Sequence, residues 1–430
     1  MPAEPTRRPR VAMVVNNGMA NDARVIKSAQ TLARAGADVV VLGVASPGHG
    51  RQETTSAGVR YVRLPVFPAR GVTPAYVVWA LRRRFGRLFD PSRWRVAMPA
   101  TAYYARAFVP ELRALRPDVV HVHDVHLLGA VEHAFAGAPG RPRILYDAHE
   151  YVAGLAVSGA RTQRAVDGWA ALEREFISQA DRVVTVAPEI AERLQRECGL
   201  RELPDVVYNA PLLWDLPTAS RSLREEPGAA PGQTLLVYSG AVSAARGVDT
   251  VIRALPDVPG ALLAVVAVPH PHPMSGPLMS LARELGVGER VRFVPPVPSH
   301  EVPAYLSGAD LAVSPIIGDA ASYDMALPNK LFEFLHAGLP IVTSDIAAMS
   351  AFVTAHHLGQ VFRQGDPADC ARAVRRALAE PVSVDTAALR EEFSWQGQEP
   401  ALLAAYATLV DGLAVSERPW QPSEAEVSFA

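Results

Sequence analysis

The chain has 430 residues, 49% of them hydrophobic and 20% charged, with a formal net charge of −2. That length suits two domains rather than one small core, and the balance excludes a disordered, fibrous or broadly nucleic-acid-binding protein. The longest apolar stretch, Gly260 to Val268, falls far short of the ~20 residues of a membrane span, and Cys198 and Cys370 have no metal-type spacing, so a reduced cytoplasmic setting is expected.

In chain order, Val11–Val15 predicts a strand, Ala20–Ala35 a helix and Ala37–Gly43 a second strand. Further strands are expected at Val119–Val122, Ile144–Tyr146, Arg182–Val186 and Asp205–Tyr208, with helical stretches between them. These runs are rich in Val, Ile and Leu without polar alternation, the pattern of parallel strands buried on both faces. From Trp214 to Gln233 the composition shifts to Pro, Ser, Gly and charge, which predicts a linker over 214–232. Strands resume at Thr234–Tyr238, Leu262–Val266, Val291–Val294, Leu311–Val313 and Ile341–Thr343. Two successive βαβ series predict an α/β protein of two doubly wound, Rossmann-like domains, 10–213 and 233–398, facing a cleft. Glu399–Gly412 reads as an amphipathic helix within 399–414, and 415–430 as a tail. Neither first loop, Asn16–Asp22 or Ser239–Gly247, carries G-x-G-x-x-G, which disfavours a dinucleotide dehydrogenase.

The segment Pro328–Pro340 carries the most chemistry. It predicts a short helix with Asn329 as N-cap, Gly338 just past its end and Pro340 as a stop. Its first turn offers backbone N–H groups near Leu331, together with Lys330 and Glu333. A helix N-terminus beside a cation is an anion site, and a carboxylate one turn further in can accept two hydrogen bonds from a vicinal diol. Diphosphate and ribose are what a nucleotide-sugar presents. Of 42 Lys+Arg, only Lys27 and Lys330 are lysine, which hints that position 330 favours a compact ammonium. The ordinary alternative for Glu333 is a first-turn glutamate favoured by the helix dipole.

A second polar set ends a strand: His121, His123, Asp124 and His126. Alternation puts His121 and His123 on one face, with Asp124 on the other unless the strand has ended. His121 reads as a packed core histidine, and the same reading stands open for His123 beside a ligand-binding one. The order H-x-H-D-x-H is similar to metallo-β-lactamase-like hydrolases, but the carboxylate is misplaced by one and no further ligand set follows, so no metal is expected. Asp147, His149 and Glu150 follow the next strand, while Asn17, Gly18, Asp22 and Arg24 belong to the first strand–helix loop and the helix it opens. Residues 76–89 mix Trp79, Leu81, Phe85, Leu88 and Phe89 with Arg82, Arg83, Arg84 and Arg87. This stretch reads as a helix packed on its domain, as a contact for the inner face of an anionic membrane, or as a site for an acidic acceptor.

Taken together, the segments NNGMANDARVIKSAQTLARAGADVVVLG, PDVVHVHDVHLL, LYDAHEYV, YSGAVSAARGVDTVIRAL and PNKLFEFLHAGLPIVTSD resemble retaining glycosyltransferases of the GT-B fold, family 4 (group 1), from Val11 to about Leu413. The resemblance implies a nucleotide-sugar donor, UDP- or GDP-linked, bound mainly by the C-terminal domain, and a glycan, lipid-linked or small-molecule acceptor bound mainly by the N-terminal one. It implies no metal cofactor and a last helix, 399–414, crossing back to the first domain. It places His123 at the donor sugar, Arg246 at the phosphates with Lys330 as the candidate replacement for a cation missing from its usual place, and Glu333, with Asn329 and Leu331, at the nucleotide. Asn17 and Gly18 face the phosphates, and the backbone of Pro296 and Val297 faces the base. Asp22, Arg24, Asp124, Asp147, His149 and Glu150 are implied near sugar or acceptor. Two departures stand out: the first of the family's paired glutamates falls on Met325, and an arginine after the first C-domain strand falls near Ala241. A nucleotide-sugar epimerase, or an inactive homologue serving as a partner subunit, are the alternative functions.

Overall fold

The computed structural model describes residues 7–19, 22–45, 50–67, 74–98, 100–157, 161–213, 219–318, 320–380, 386–416 and 420. The chain divides into two compact units, Met1–Tyr208 with Glu399–Ala430, and Asn209–Gln398. The expected tail falls almost wholly, and the start of the expected linker wholly, outside the described residues.

The first unit is built on strands β1 (Arg10–Val14), β2 (Asp38–Val44), β3 (Gln52–Thr54), β4 (Arg60–Leu64), β5 (Val119–His123), β6 (Arg143–Ala148), β7 (Arg182–Thr185) and β8 (Asp205–Val206). They form one sheet in the order β3-β4-β2-β1-β5-β6-β7-β8, parallel except for the β3–β4 pair. The strand order reverses between β1 and β5, and loops leaving the carboxyl ends there are where doubly wound sheets bind ligands. β1 and β5 are buried almost throughout because helices cover both faces of a parallel sheet. The first helix, Ala23–Arg34, starts three residues later than the periodicity suggests, because Asp22 caps it, its Oδ1 accepting the Val25 N–H at 3.2 Å.

Strands β3 and β4 do not stand out in the sequence. Arg60 and Arg63 interrupt the apolar run of β4, and β3 is three residues of largely exposed edge. Arg63 is nevertheless 1% exposed, its guanidinium donating to the carbonyls of Gly18 at 3.1 Å and Gly50 at 2.8 Å. It fastens the loop after β1 from below.

The second unit holds β9 (Leu235–Gly240), β10 (Leu262–Ala267), β11 (Val291–Val294), β12 (Leu311–Ser314), β13 (Ile341–Ser344) and β14 (Gly359–Phe362) in the order β11-β10-β9-β12-β13-β14, all parallel. Its reversal lies between β9 and β12. β14 is four residues opening on glycine, too short for a periodic signal.

Residues 219–232 correct the linker expectation. Leu223 is 1% exposed, and Arg224 pairs with Asp310 at 2.8 Å, so the polar composition here dresses the surface of the second unit. The last helix also starts earlier than expected, running Trp395–Ala407 rather than from Glu399 to Gly412. It spans the division between the units. Trp395 N–H donates to the Pro211 carbonyl at 2.7 Å in the second unit, whereas Glu399 accepts from Thr31 Oγ1 at 2.8 Å in the first. Its buried positions, Trp395, Gln398, Glu399, Leu402, Ala405 and Tyr406, recur at helical spacing, so one face is covered.

Candidate functional site

In the second unit the polar groups collect at the β9–β12 reversal. β9 ends at Gly240, and the turn that follows carries Arg246 and then Gly247 at φ +65°. A Cβ on Gly247 would stand 1.9 Å from the Pro315 carbonyl oxygen, on the chain leaving β12. Only glycine permits both the left-handed backbone and that approach. Gly247→Ala is therefore expected to cost more than about 1 kcal/mol of stability, read as a lower urea midpoint. An unchanged midpoint would show that the two loops do not need this contact.

The helix Asn329–His336 closes on a left-handed Gly338 (φ +73°), with Leu339 N–H reaching the Phe334 carbonyl and Gly338 N–H the Leu335 carbonyl. Its start departs from expectation. Pro328 occupies the cap position and Asn329 is the first helical residue, so no side chain caps this end. The Leu331 N–H is engaged, donating to the Pro328 carbonyl at 2.9 Å. Among the described residues the Asn329 and Lys330 amides have no partner, because a proline cap has no side-chain acceptor to offer them. Asn329 is exposed and Glu333, one turn on, half-buried, so the two share the open face of the helix.

Lys330 points inward. It is 8% exposed, its Nζ lies 4.0 Å above the Tyr238 ring, and that nitrogen has no hydrogen-bond partner. A Cβ on Gly240 would come within 3.5 Å of the same Nζ. Burial, with help from the Arg246 charge and against the pull of Glu333, brings its pKa down to about 7. A buried ammonium short of partners is a charge waiting for an anion.

In the first unit, the β5–β6 register sets His123 beside Asp147. His121 and His123 stack with ring centroids 4.0 Å apart, both wholly buried. His123 Nδ1 lies 3.0 Å from His149 Nε2 and 3.4 Å from Asp147 Oδ2, while its Nε2 has no partner. His121 is the core histidine expected, with Nδ1 held 2.9 Å from the Tyr406 hydroxyl.

Arg24 and Asp147 correct the expectation that they touch sugar or acceptor. The guanidinium donates twice to Asp147, both at 2.8 Å, and once to the Val207 carbonyl at 2.7 Å, and both side chains are at most 2% exposed. They position the histidines instead. Burial opposes ionisation of Asp147, but Arg24 and His149 outweigh it and hold the carboxyl well below its usual range. Burial alone would lower His149; the carboxylates of Asp124 and Asp147 reverse this and raise it to about 9. His121 and His123 are both lowered, first by burial, His121 to about 3.

Asp124 lies one residue past the strand at φ +61° and ψ 160°, a conformation rare outside glycine, with Oδ1 3.5 Å from His149 Nδ1. Asp22 spends its carboxylate on the helix cap and on Asn17 Nδ2 at 2.8 Å, while Asn17 Oδ1 accepts from Met19 N–H, so these two shape the loop around Gly18. Glu150 is exposed. The Pro296 carbonyl accepts from Arg221 at 2.5 Å, and Val297 is buried. Tyr238, Tyr406, Arg63 and Arg221 join these sites without any sequence signal. The contacts that bring them there, to Lys330, His121, Gly18 and Pro296 in turn, lie far along the chain.

His121, His123 and Asp147 bring potential ligand atoms within 4.8 Å of one another, which invites a metal. The donor set fits one poorly. Both Asp147 oxygens hold Arg24, and a dication would sit against that guanidinium and a His149 that favours its protonated form.

The model of the family described as Glycosyltransferase Family 4 matches residues 23–210, and that of Glycosyl transferases group 1 matches residues 233–380. The two matches fall one on each sheet. The chain belongs to the family 4, group 1 glycosyltransferases. A D-inositol 3-phosphate glycosyltransferase of Nocardia farcinica is 30% identical over 249 residues, 54% of each chain. The alignments to this and the next inositol phosphate glycosyltransferases thus span about half the length of those proteins. A glycogen synthase of Mycobacterium tuberculosis is 28% identical over 91% of this chain and 90% of its own. Among solved structures, sucrose-phosphate synthase from Thermosynechococcus elongatus superposes with a TM-score of 0.72 at 17% identity, covering 94% of this chain and 99% of the other. Anabaena HepE, solved with UDP-glucose, gives 0.64 at 15% identity over 93% and 99%. These likenesses establish the GT-B fold. Among the described residues of this family member, no helix is long and apolar enough to cross a membrane.

Proposed function

We propose that the chain transfers a sugar from a nucleoside diphosphate to an acceptor hydroxyl, with retention at the anomeric carbon and without a metal ion. The observation that carries this reading is Lys330, a buried ammonium with no hydrogen-bond partner, set at the uncapped start of a helix beside Arg246. A diphosphate supplies what that arrangement lacks.

In the reaction the bond from the anomeric carbon to the β-phosphate oxygen breaks and one to the acceptor oxygen forms. Negative charge grows on the leaving diphosphate, and the acceptor proton passes to a phosphate oxygen. Lys330, Arg246 and the Asn329 and Lys330 amides stabilise that growing charge. At an effective dielectric near 20, a unit charge pair about 4 Å apart is worth roughly 4 kcal/mol. Glu333 accepts from the ribose hydroxyls, with Asn329 beside it, and the backbone at Pro296 and Val297 borders the base. His123 uses its unpartnered Nε2 on a sugar hydroxyl, while Arg24 and Asp147 fix its ring. Asp124, His149 and Glu150 serve the acceptor side, near the loop carrying Asn17 and Gly18. Anabaena HepE was solved with UDP-glucose, which makes a UDP-sugar the first donor to test.

Calorimetric titration of UDP, GDP and ADP tests the donor site. Glu333→Ala is expected to weaken the preferred nucleotide about tenfold through lost diol contacts. Equal affinity for every nucleotide in wild type, Glu333→Ala and Lys330→Ala would remove the site. The pH dependence has a definite sign. Because the free Lys330 pKa is about 7 and a bound diphosphate raises it, affinity should be greatest below pH 7 and fall up to about tenfold per pH unit above it. Lys330→Arg should flatten that slope, since a guanidinium keeps its proton.

A further inference from the structure

A cavity of about 700 Å³ opens within the first unit, apart from the histidine cluster but at the same carboxyl end of its sheet. Asn16, which follows β1, and His126, three residues past His123, both line it. Two aromatic groups form much of its wall. Phe67 packs on Trp79 and Tyr104 with ring centroids 6.0 and 5.6 Å apart, and Trp169 meets the His126 ring at 4.8 Å. Arg83, Arg87 and Arg164 also line it, and among the described residues no carboxylate does. Arg83 sits over the Trp79 ring at 5.4 Å, and Arg164 donates to the Gly86 carbonyl at 2.9 Å while its charge also reaches Asp90. Among the described residues none of the three forms a salt bridge.

The helix Pro74–Gly86 supplies Trp79 and Arg83 to this cavity and, just past its end, Arg87. Its other surface exposes an apolar run interleaved with Arg82 and Arg84. Val77, Val78, Leu81 and Phe85 are 42 to 56% exposed, and Leu88 beyond it 78%. Two exposed arginines, Arg83 and Arg87, without a salt-bridge partner among the described residues, set beside flat rings and continued by exposed apolar side chains on the same element, match one kind of molecule. It bears an anionic group on an apolar body, the rings taking the body and the guanidinium forks the anion.

We propose that this cavity holds the acceptor, and that the acceptor carries a phosphate or carboxylate on an aromatic or long apolar body. The identification as acceptor rests on the transferase reading; the anion-plus-apolar chemistry does not. Residues 76–89 then serve as the acidic-acceptor site among the three readings of that stretch.

The test is direct binding to the full chain without donor, using farnesyl phosphate and 2-naphthyl phosphate against their neutral alcohols, with UDP titrated in parallel. At least one acid is expected to bind about tenfold or more tighter than its alcohol, and Arg83→Gln/Arg87→Gln to abolish most of that preference. Trp79→Ala should weaken acid and alcohol alike. Farnesyl phosphate alone binding identifies a lipid phosphate, and naphthyl phosphate alone a soluble aromatic acid; either supports the proposal. Both arginines are exposed, Arg83 on the helix and Arg87 just past its end, so the double variant should keep its melting temperature, which is measured alongside. The inference is overturned if neither acid binds a protein that binds UDP, if the alcohols bind as well as the acids, or if the double variant binds the acids as wild type does. Failure of UDP to bind strikes the transferase reading and leaves the arginine-dependent acid binding to be judged alone.

Discussion

Lys330→Ala is expected to lower glycosyl transfer by about 10²- to 10³-fold while leaving the free protein as stable as wild type or more so. The two effects have one origin. In the free protein the ammonium is buried without a hydrogen-bond partner, beside Arg246, and is pushed toward its neutral form. Removing it relieves a desolvated charge. In the proposed reaction the same charge answers the departing diphosphate, so its loss would fall on turnover. Steady-state kinetics with the preferred donor, together with thermal melts of both proteins, check this. A variant that melts well below wild type and loses activity only in proportion would make Lys330 a structural residue. A further sign follows for the free wild type. Lysine in the unfolded chain keeps its proton to about pH 10.4, whereas folded Lys330 releases it near 7, so this residue's contribution makes stability rise with pH across that interval. Lys330→Met should lack that contribution.

The second large effect is expected at Arg24 and Asp147. Their bidentate pair is at most 2% exposed on either side, so removing one partner strands the other charge. Arg24→Met or Asp147→Asn should cost about 3–5 kcal/mol of stability in the first unit, measured by denaturant unfolding. The apolar double variant Arg24→Met/Asp147→Leu should recover much of that, because neither charge is then orphaned. Activity should not recover, since His123 and His149 lose the carboxylate that orients them. Asp147→Asn should also bring the His149 pKa down from about 9, followed by NMR titration. His149 gains stability from being protonated in the fold. That contribution is complete below its unfolded value near 6.5 and is lost as pH rises through 9. A double variant that restores full transfer would show that the pair only supports the fold.

Several elements were legible from residues alone. The apolar runs at Val11, Val119 and Ile341 fall on strands β1, β5 and β13 because parallel strands covered on both faces need unbroken Val and Ile. The helix at Asn329–His336 shows its end at Gly338, since only a left-handed residue completes that turn comfortably. The strand β3–β4 pair, the burial of Arg24 and the true start of the last helix were not legible. In each, a polar group meets a partner far along the chain: the Arg63 side chain at Gly18, the Arg24 side chain at Asp147, and the Trp395 backbone N–H at Pro211.

By itself the sequence determined the two βαβ series, the family and the short segment bearing Lys330 and Glu333, because periodicity and helix-end chemistry are local. Only the tertiary structure decided which polar residues are spent on the protein and which buried polar atoms are left without a partner. Asp147 and Arg24 satisfy one another, while Lys330 Nζ and His123 Nε2 are buried without partners. That distinction depends on what the fold brings within about 3 Å of a side chain, and hydrogen bonding at that range is indifferent to distance along the chain.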